Sequence, residues 1–417
     1  MRRSGASLAL CLLAAALLAP AAAAQTIIAT ASSEVGNLTR TESTVQVGPG
    51  PLDRFQMVRL TKGDSASRAA DRFRGTILFL PPLGSSFSFY EQPDASGAPA
   101  TSVAGFFAQR GYDVYGYVPR YVAIPAGTCE AGLFDCSVMD GWDIQSMLDD
   151  VAFIRGEIET LHPGTKIVAG GASLGGVLAV AVANAFPDDY DGVIVWEGML
   201  ASDDPAVLAL NDGYCDALEA QLAGGIAFDG VGTNVFKQVA KSAELEPGGL
   251  NILPLFPPVL TNHQVMVLVL SVPAPGPVTM PVPGYVQMAG SFPEDRLFFA
   301  SEPRLFENVG QFNAYVPVRT VRDLSCSLAG RETAYVSNLG SFTGSVLAIG
   351  GGRGFGAFLD HQLSLFGTSD VTFLLEPEFG HIDHFMTRRH REFVERPILR
   401  WAERVLGRRG HGRGPGH

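Results

Sequence analysis

The sequence predicts an α/β protein built on a mostly parallel sheet with helices on both faces. Short apolar runs alternate with helix-period stretches between residues 76 and 196, and again between 345 and 401. Most of the runs are continuously apolar rather than alternating, the pattern of strands buried on both faces. The 417 residues are 47% hydrophobic and only 17% charged, which excludes a disordered or low-complexity chain.

The first 24 residues are expected to lie outside the fold. Arg2 and Arg3 form a positive start, Leu8 to Leu18 an apolar centre, and Ala22-Ala23-Ala24 a small-residue cleavage site before Gln25. This is the pattern of a secretory signal peptide, too short for a spanning helix, and it predicts a secreted or periplasmic protein. Cys11 leaves with that segment, so Cys129, Cys136, Cys215 and Cys326 remain. Four cysteines in an oxidising compartment allow three pairings; Cys129 with Cys136 is the favoured short loop, which leaves Cys215 with Cys326.

Residues 55–60 alternate like an edge strand, and Thr76-Ile77-Leu78-Phe79-Leu80 reads as a strand buried on both faces. A helix over 102–109 and a strand over 112–117 follow. Apolar positions recur at three and four from Ile144 to Thr160, an amphipathic helix that stops at His162-Pro163-Gly164. Next come a strand over 166–169, a helix from Leu174 to Phe186 and a strand over 192–196. The rhythm breaks from Glu197 to Gly344, where the composition turns apolar and rich in proline. A stretch that long inside a regular sheet is too long for a connection and is expected to be a subdomain. Prolines interrupt its most apolar part, Val265 to Gly284, far short of a membrane span. The rhythm resumes with a strand over 345–349, a helix near 361–366, a strand over 370–375 and an amphipathic helix through Trp401. The expected organisation is therefore a core of 25–196 and 345–405, an insertion of 197–344 and a flexible basic tail of 406–417.

Thirty Lys and Arg against 42 Asp and Glu give a net charge of −12, with no basic cluster in the folded region. A nucleic-acid partner is excluded on that ground, because phosphate neutralisation needs a positive face. No zinc or nucleotide motif occurs, so no cofactor and no metal are expected.

The chemistry concentrates at strand ends. Gly171-Ala172-Ser173-Leu174-Gly175 follows a predicted strand and opens a predicted helix, the setting that a Gly-x-Ser-x-Gly nucleophile elbow requires. Taken without that setting, the same string fits a Gly-rich turn in which Ser173 only caps a helix. His381 lies just beyond the last predicted strand, and a serine hydroxyl needs such a base to act as a nucleophile at neutral pH. His384, three residues on, is expected to enter the final helix and face away.

With Leu80-Pro81-Pro82-Leu83-Gly84 and Phe379-Gly380-His381-Ile382-Asp383, this string resembles the α/β-hydrolase fold family, particularly secreted bacterial esterases and lysophospholipase-like hydrolases. The resemblance covers residues 55–200 and 345–405, with the long insertion where such enzymes carry a cap or lid. It implies Ser173 as nucleophile, His381 as base, and an oxyanion hole made by the N–H groups of Leu174 and Leu83. Leu83 is taken because Pro81-Pro82 replaces the frequent His-Gly pair and neither proline can donate. The acid is the least determined member. The family most often places it after the strand before the histidine strand, but there the chain reads Gly350-Gly351-Gly352-Arg353-Gly354-Phe355-Gly356, with no carboxylate. Glu197, at the end of the 192–196 strand, is the preferred candidate, because haloalkane dehalogenases carry their acid at that earlier position. Asp360 is the alternative. The function implied is a secreted serine hydrolase of lipophilic acyl esters, with a small-molecule or lipid ester as partner. A binding protein for an apolar ligand, on a hydrolase fold that has lost turnover, is the second expectation.

Overall fold

A computed structural model describes residues 25–63, 73–93, 98, 101–230, 232–253, 257–271, 285–290 and 296–407. The expected signal peptide and most of the expected tail lie outside these residues.

The sheet has nine strands: β1 (Thr26–Val35), β2 (Leu38–Gln46), β3 (Arg54–Thr61), β4 (Thr76–Leu80), β5 (Asp113–Val118), β6 (Ile167–Ala172), β7 (Gly192–Trp196), β8 (Ser345–Gly351) and β9 (Val371–Glu376). Their spatial order is β1-β2-β3-β5-β4-β6-β7-β8-β9. The six strands from β5 to β9 are parallel, and β1, β2 and β3 add an antiparallel extension. This corrects one expectation. Residues 55–60 belong to an interior strand, because β1 and β2, unforeseen, cover the side on which β3 was expected to be open.

The two faces of the parallel strands follow from side-chain alternation. Leu78, Leu80, Ala169, Val193 and Val195 face one core, packed by α2 (Ile144–Leu161) and α3 (Leu174–Ala185). Ile77, Phe79, Val168 and Ile194 face the other, packed by α1 (Val103–Ala108) and by α11 (Arg396–Gly407) through Ile398 and Trp401. Helix α2 forms where it was expected. Ile144, Met147, Leu148, Val151, Ile154 and Ile158 make its buried stripe, and Asp143 and Ser146 close a capping box at its start.

Between β7 and β8 the described residues form five α-helices: α4 (Pro205–Ala223), α5 (Gly232–Leu245), α6 (Asn262–Ser271), α7 (Glu302–Gly310) and α8 (Val318–Leu328). The disulfide Cys215–Cys326 ties α4 to α8, and Cys129–Cys136 closes the short loop expected of it. After β8 come α9 (Leu359–Ser364) and, beyond β9, a single turn, α10 (Asp383–Met386). Helix α11 runs to Gly407 with Leu406 buried, so it takes in the first two residues of the expected tail. No helix among the described residues is long and apolar enough to cross a membrane.

Candidate active site

Five segments meet at the carboxyl ends of the parallel strands, where open α/β sheets leave room for a ligand. They are Pro81–Leu83 after β4, Ser173 after β6, Glu197 after β7, the glycine-rich loop after β8, and His381 after β9.

Ser173 occupies the turn from β6 into α3 with φ 55° and ψ −117°, a backbone conformation that side chains other than glycine rarely adopt. The turn is held by its N–H, which donates to the Trp196 carbonyl at 2.8 Å. Glycine is required on either side for close approach. A Cβ at Gly171 or Gly175 would run into the Leu80 carbonyl oxygen of the neighbouring strand. Tyr90, fully buried, fixes the same strand pair by donating to the Leu80 carbonyl at 2.7 Å and accepting from the Ala172 N–H at 2.8 Å.

His381 Nε2 lies 3.0 Å from Ser173 Oγ, and its Nδ1 lies 2.9 Å from Glu197 Oε2. Glu197 is fully buried. Its Oε1 accepts from the N–H groups of Gly351 and Gly356, and its Oε2 from the Phe355 N–H at 2.9 Å as well as from His381. Four donors converge on one carboxyl group, which leaves it acceptor-only. That assigns the ring hydrogen to Nδ1, so Nε2 presents a lone pair to the Ser173 hydroxyl. The carboxylate-free loop 350–356 is therefore the cradle of a carboxylate supplied by another strand. Gly354 lacks a Cβ because one there would sit on Glu197 Oε2. Asp360 is exposed on α9, and no hydrogen bond joins it to His381.

Leu174 is the first residue of α3 and Leu83 lies in the turn after β4; both line the cavity above Ser173. Neither N–H is engaged by another group among the described residues, so both are available as donors. His384 lies in the single turn α10 rather than in the final helix. It is fully buried, packed edge-on against Phe379, and burial pulls its imidazole down to about 3. Arg353, near the histidine loop, pairs with Glu378 at 2.6 Å on the surface. Asp383 accepts from the Gly380 and Gln287 N–H groups, each at 2.7 Å, and so ties the histidine loop to the 285–290 segment. Burial pushes its carboxyl up to about 6. Tyr90 was not singled out from sequence, and Asp383 entered only as the last residue of the motif around His381, with no role assigned to it.

Ser173, Glu197 and His381 open onto a cavity of about 140 Å³. Phe89, Phe355 and Phe385 from the core and Phe236, Leu270 and Val309 from the β7–β8 insertion are among its walls; Tyr285 adds one further polar group. The only cluster of metal-type side chains among the described residues is Cys215, Glu219 and Cys326, and its two sulfurs are joined in a disulfide.

No protein-family model matches the chain, and no curated protein sequence matches it. Solved structures do. A candidate lipase from Sulfolobus solfataricus superposes with a TM-score of 0.65 at 15% identity, over 91% of this chain and 99% of the other. The chain has the α/β-hydrolase fold. A soluble variant of the monoglyceride lipase from Saccharomyces cerevisiae matches at 12% identity with a TM-score of 0.47, over 93% and 98% of the two chains. A thermophilic esterase from Thermogutta terrifontis matches at 14% with a TM-score of 0.46, over 88% and 99%.

Proposed function

We propose that this chain is a secreted serine hydrolase that cleaves carboxylic esters of apolar acyl groups through an acyl-enzyme. The observation that carries the reading is the unbroken hydrogen-bonded series Ser173–His381–Glu197 facing an apolar cavity. Ser173 Oγ attacks the ester carbonyl carbon while His381 Nε2 takes its proton. The oxyanion is received by the Leu83 and Leu174 N–H groups. His381 then gives the proton to the leaving alkoxide as the C–O bond breaks. Water, deprotonated by the same nitrogen, attacks the acyl-enzyme and releases the acid and free Ser173. Glu197 holds the ring in the tautomer this requires and stabilises the imidazolium formed at each attack.

The insertion between β7 and β8 acts as the cap over an acyl pocket; its apolar side chains in the cavity support that role. Two disulfides accord with export, for which the expected signal peptide of residues 1–24 would account. The test is labelling of the purified chain with a fluorophosphonate, read by intact mass and by the modified peptide. Labelling at Ser173 that is lost in His381→Ala is expected. Folded protein that stays unlabelled, with and without detergent, would overturn the reading in favour of a non-catalytic binding protein.

A further inference from the structure

The cavity above Ser173 continues into the insertion. Toward α5, α6 and α7 it adjoins a second hollow of about 10 Å³, and the two share Phe236, Leu270, Leu305 and Val309 as walls. Behind those four, the second hollow is closed by Val239, Ala240, Met266 and Val269. All of these side chains are apolar, and apart from Ser173, Glu197, His381 and Tyr285 the main cavity is walled by apolar side chains as well. Such a space gives no partner to a charged or hydroxylated chain and takes a hydrocarbon one.

The far wall is held in place. Helix α6 is tied to the end of α5 by Asn262 Nδ2, which donates to the Glu246 carbonyl at 2.9 Å, and to α7 by the pair His263–Glu302 at 2.9 Å. Helix α7 is tied in turn to the turn after His381, since the Ser301 N–H donates to the Met386 carbonyl at 2.7 Å. Val239, Ala240, Met266, Leu305 and Val309 are each at most 5% exposed. Size then limits what enters. An apolar cavity of about 150 Å³ holds benzene, so the 140 Å³ above Ser173 takes about six carbon atoms. The second hollow is about one water-sized sphere, too small for more chain unless a wall moves. A sixteen-carbon chain would need about 400 Å³ on the same scale.

We infer that Phe236 and Val239 of α5, with Met266 of α6, close the acyl pocket and set its length, so that the substrates are esters of uncharged acyl groups of about four to six carbons rather than of long-chain fatty acids. This rests on the ester-hydrolase reading of Ser173 and names the part of the substrate that the insertion selects.

The experiment measures kcat/KM of the full chain on p-nitrophenyl esters from acetate to palmitate, beside Phe236→Ala and Val239→Ala. In the parent, kcat/KM should climb about three- to fourfold per added CH₂ up to butanoate or hexanoate, and should fall by about tenfold or more by decanoate. Phe236→Ala joins the two hollows and should raise the decanoate-to-butanoate ratio by about tenfold or more. Val239→Ala, a smaller cut in the same wall, should raise it by about threefold or more. The ratio is read within each protein, so it does not depend on the fraction that folds, and Val239→Ala decides if Phe236→Ala misfolds. The same proteins are run on acetate esters of 1-butanol to 1-decanol. The inference is overturned by a parent that prefers laurate or palmitate, or by variant ratios within about twofold of the parent's. It is also overturned by a shift in the alcohol series in place of the acyl series. Fluorophosphonate labelling of Ser173 separates the two readings. A labelled chain with the wrong profile defeats the length inference alone, and one that neither labels nor turns over any ester defeats the hydrolase and this inference with it.

Discussion

Replacing Glu197 by Gln tests the site where its geometry is most demanding. The wild-type carboxyl receives four donors, three backbone N–H groups and His381 Nδ1. Glutamine offers one oxygen and one NH₂, so either orientation sets the NH₂ against two of them. With the NH₂ at the Oε2 position, the Phe355 N–H loses its partner and Nδ1 must become an acceptor, which moves the ring hydrogen to Nε2 and abolishes the base. With the NH₂ at the Oε1 position, the buried N–H groups of Gly351 and Gly356 are left unpaired, at about 1–3 kcal/mol each. The imidazolium also loses its counter-charge in both cases. The expected fall in kcat on a chromogenic short-chain ester is about a thousand- to ten-thousandfold, or about 4–5.5 kcal/mol. The stability loss is expected at about 2–5 kcal/mol by urea denaturation. Asp360→Asn, on the exposed face of α9, is the control and should stay within about twofold of the parent. Glu197→Gln retaining activity within about tenfold, or Asp360→Asn losing as much as Glu197→Gln, would refute the assignment of the acid.

Three further outcomes follow from particular contacts. Gly354→Ala places a Cβ on Glu197 Oε2 and within 2.9 Å of the His381 backbone nitrogen, so fluorophosphonate labelling should slow by about a hundredfold or more while the fold persists. Tyr90→Phe leaves the Leu80 carbonyl and the Ala172 N–H without their bridge, and urea denaturation should show a loss of about 2–4 kcal/mol. His384 is neutral in the fold down to about pH 3 but takes a proton at about 6.5 once unfolded, so its contribution is full above 6.5 and lost as pH falls toward 3. At pH 5 that loss is about 2 kcal/mol, and His384→Leu should remove it. Asp383, pushed up to about 6, acts with the opposite sign, its contribution being lost as pH rises, so the readout is the difference between variant and parent.

The parallel core was legible because its strands are buried on both faces and therefore read as uninterrupted apolar runs. The same logic hid β1 and β2. Strand β1 is exposed along nearly its whole length and is rich in Thr and Ser, so it carries no burial pattern. The available signal was Gly36-Asn37, a two-residue turn between the arms of a hairpin, with Gly36 at φ 67°. In the insertion, Asp204-Pro205 announced α4 as an N-cap followed by a proline in the first turn. Of the remaining insertion helices, α5, α7 and α8 do carry a one-sided apolar pattern, whereas α6 does not. Ser173 and His381 could be singled out because each sits beside glycines at a strand end. The acid could not be decided from sequence, since Glu197 lies 184 residues before His381 and only the fold brings them together. The clue was indirect: a loop with five glycines in seven residues where an acid was due is a loop built to present N–H groups.

The proposed nucleophile and acid are held by one backbone device used twice. Ser173 and Glu197 are the only non-glycine residues with positive φ among those described, at 55° and 52°. Each is the first residue past its strand, β6 for one and the adjacent β7 for the other. In each case the N–H of the strained residue extends the parallel ladder by one bond, from Ser173 to the Trp196 carbonyl at 2.8 Å and from Glu197 to the Ile349 carbonyl at 2.9 Å. The turns are thus fixed in series across β6, β7 and β8, and the distance from Ser173 to Glu197 is set by strand spacing rather than by loop packing. Such a conformation costs about 1–3 kcal/mol at each residue and persists only where its surroundings overdetermine it. A glutamate that merely opened the insertion would have no use for it, since capping a helix needs only ordinary extended backbone, as Asp204 shows at φ −72° and ψ 119°. What the left-handed turn at Glu197 provides is direction: it turns the carboxyl back across the ends of the strands, under the glycine loop and onto His381 Nδ1.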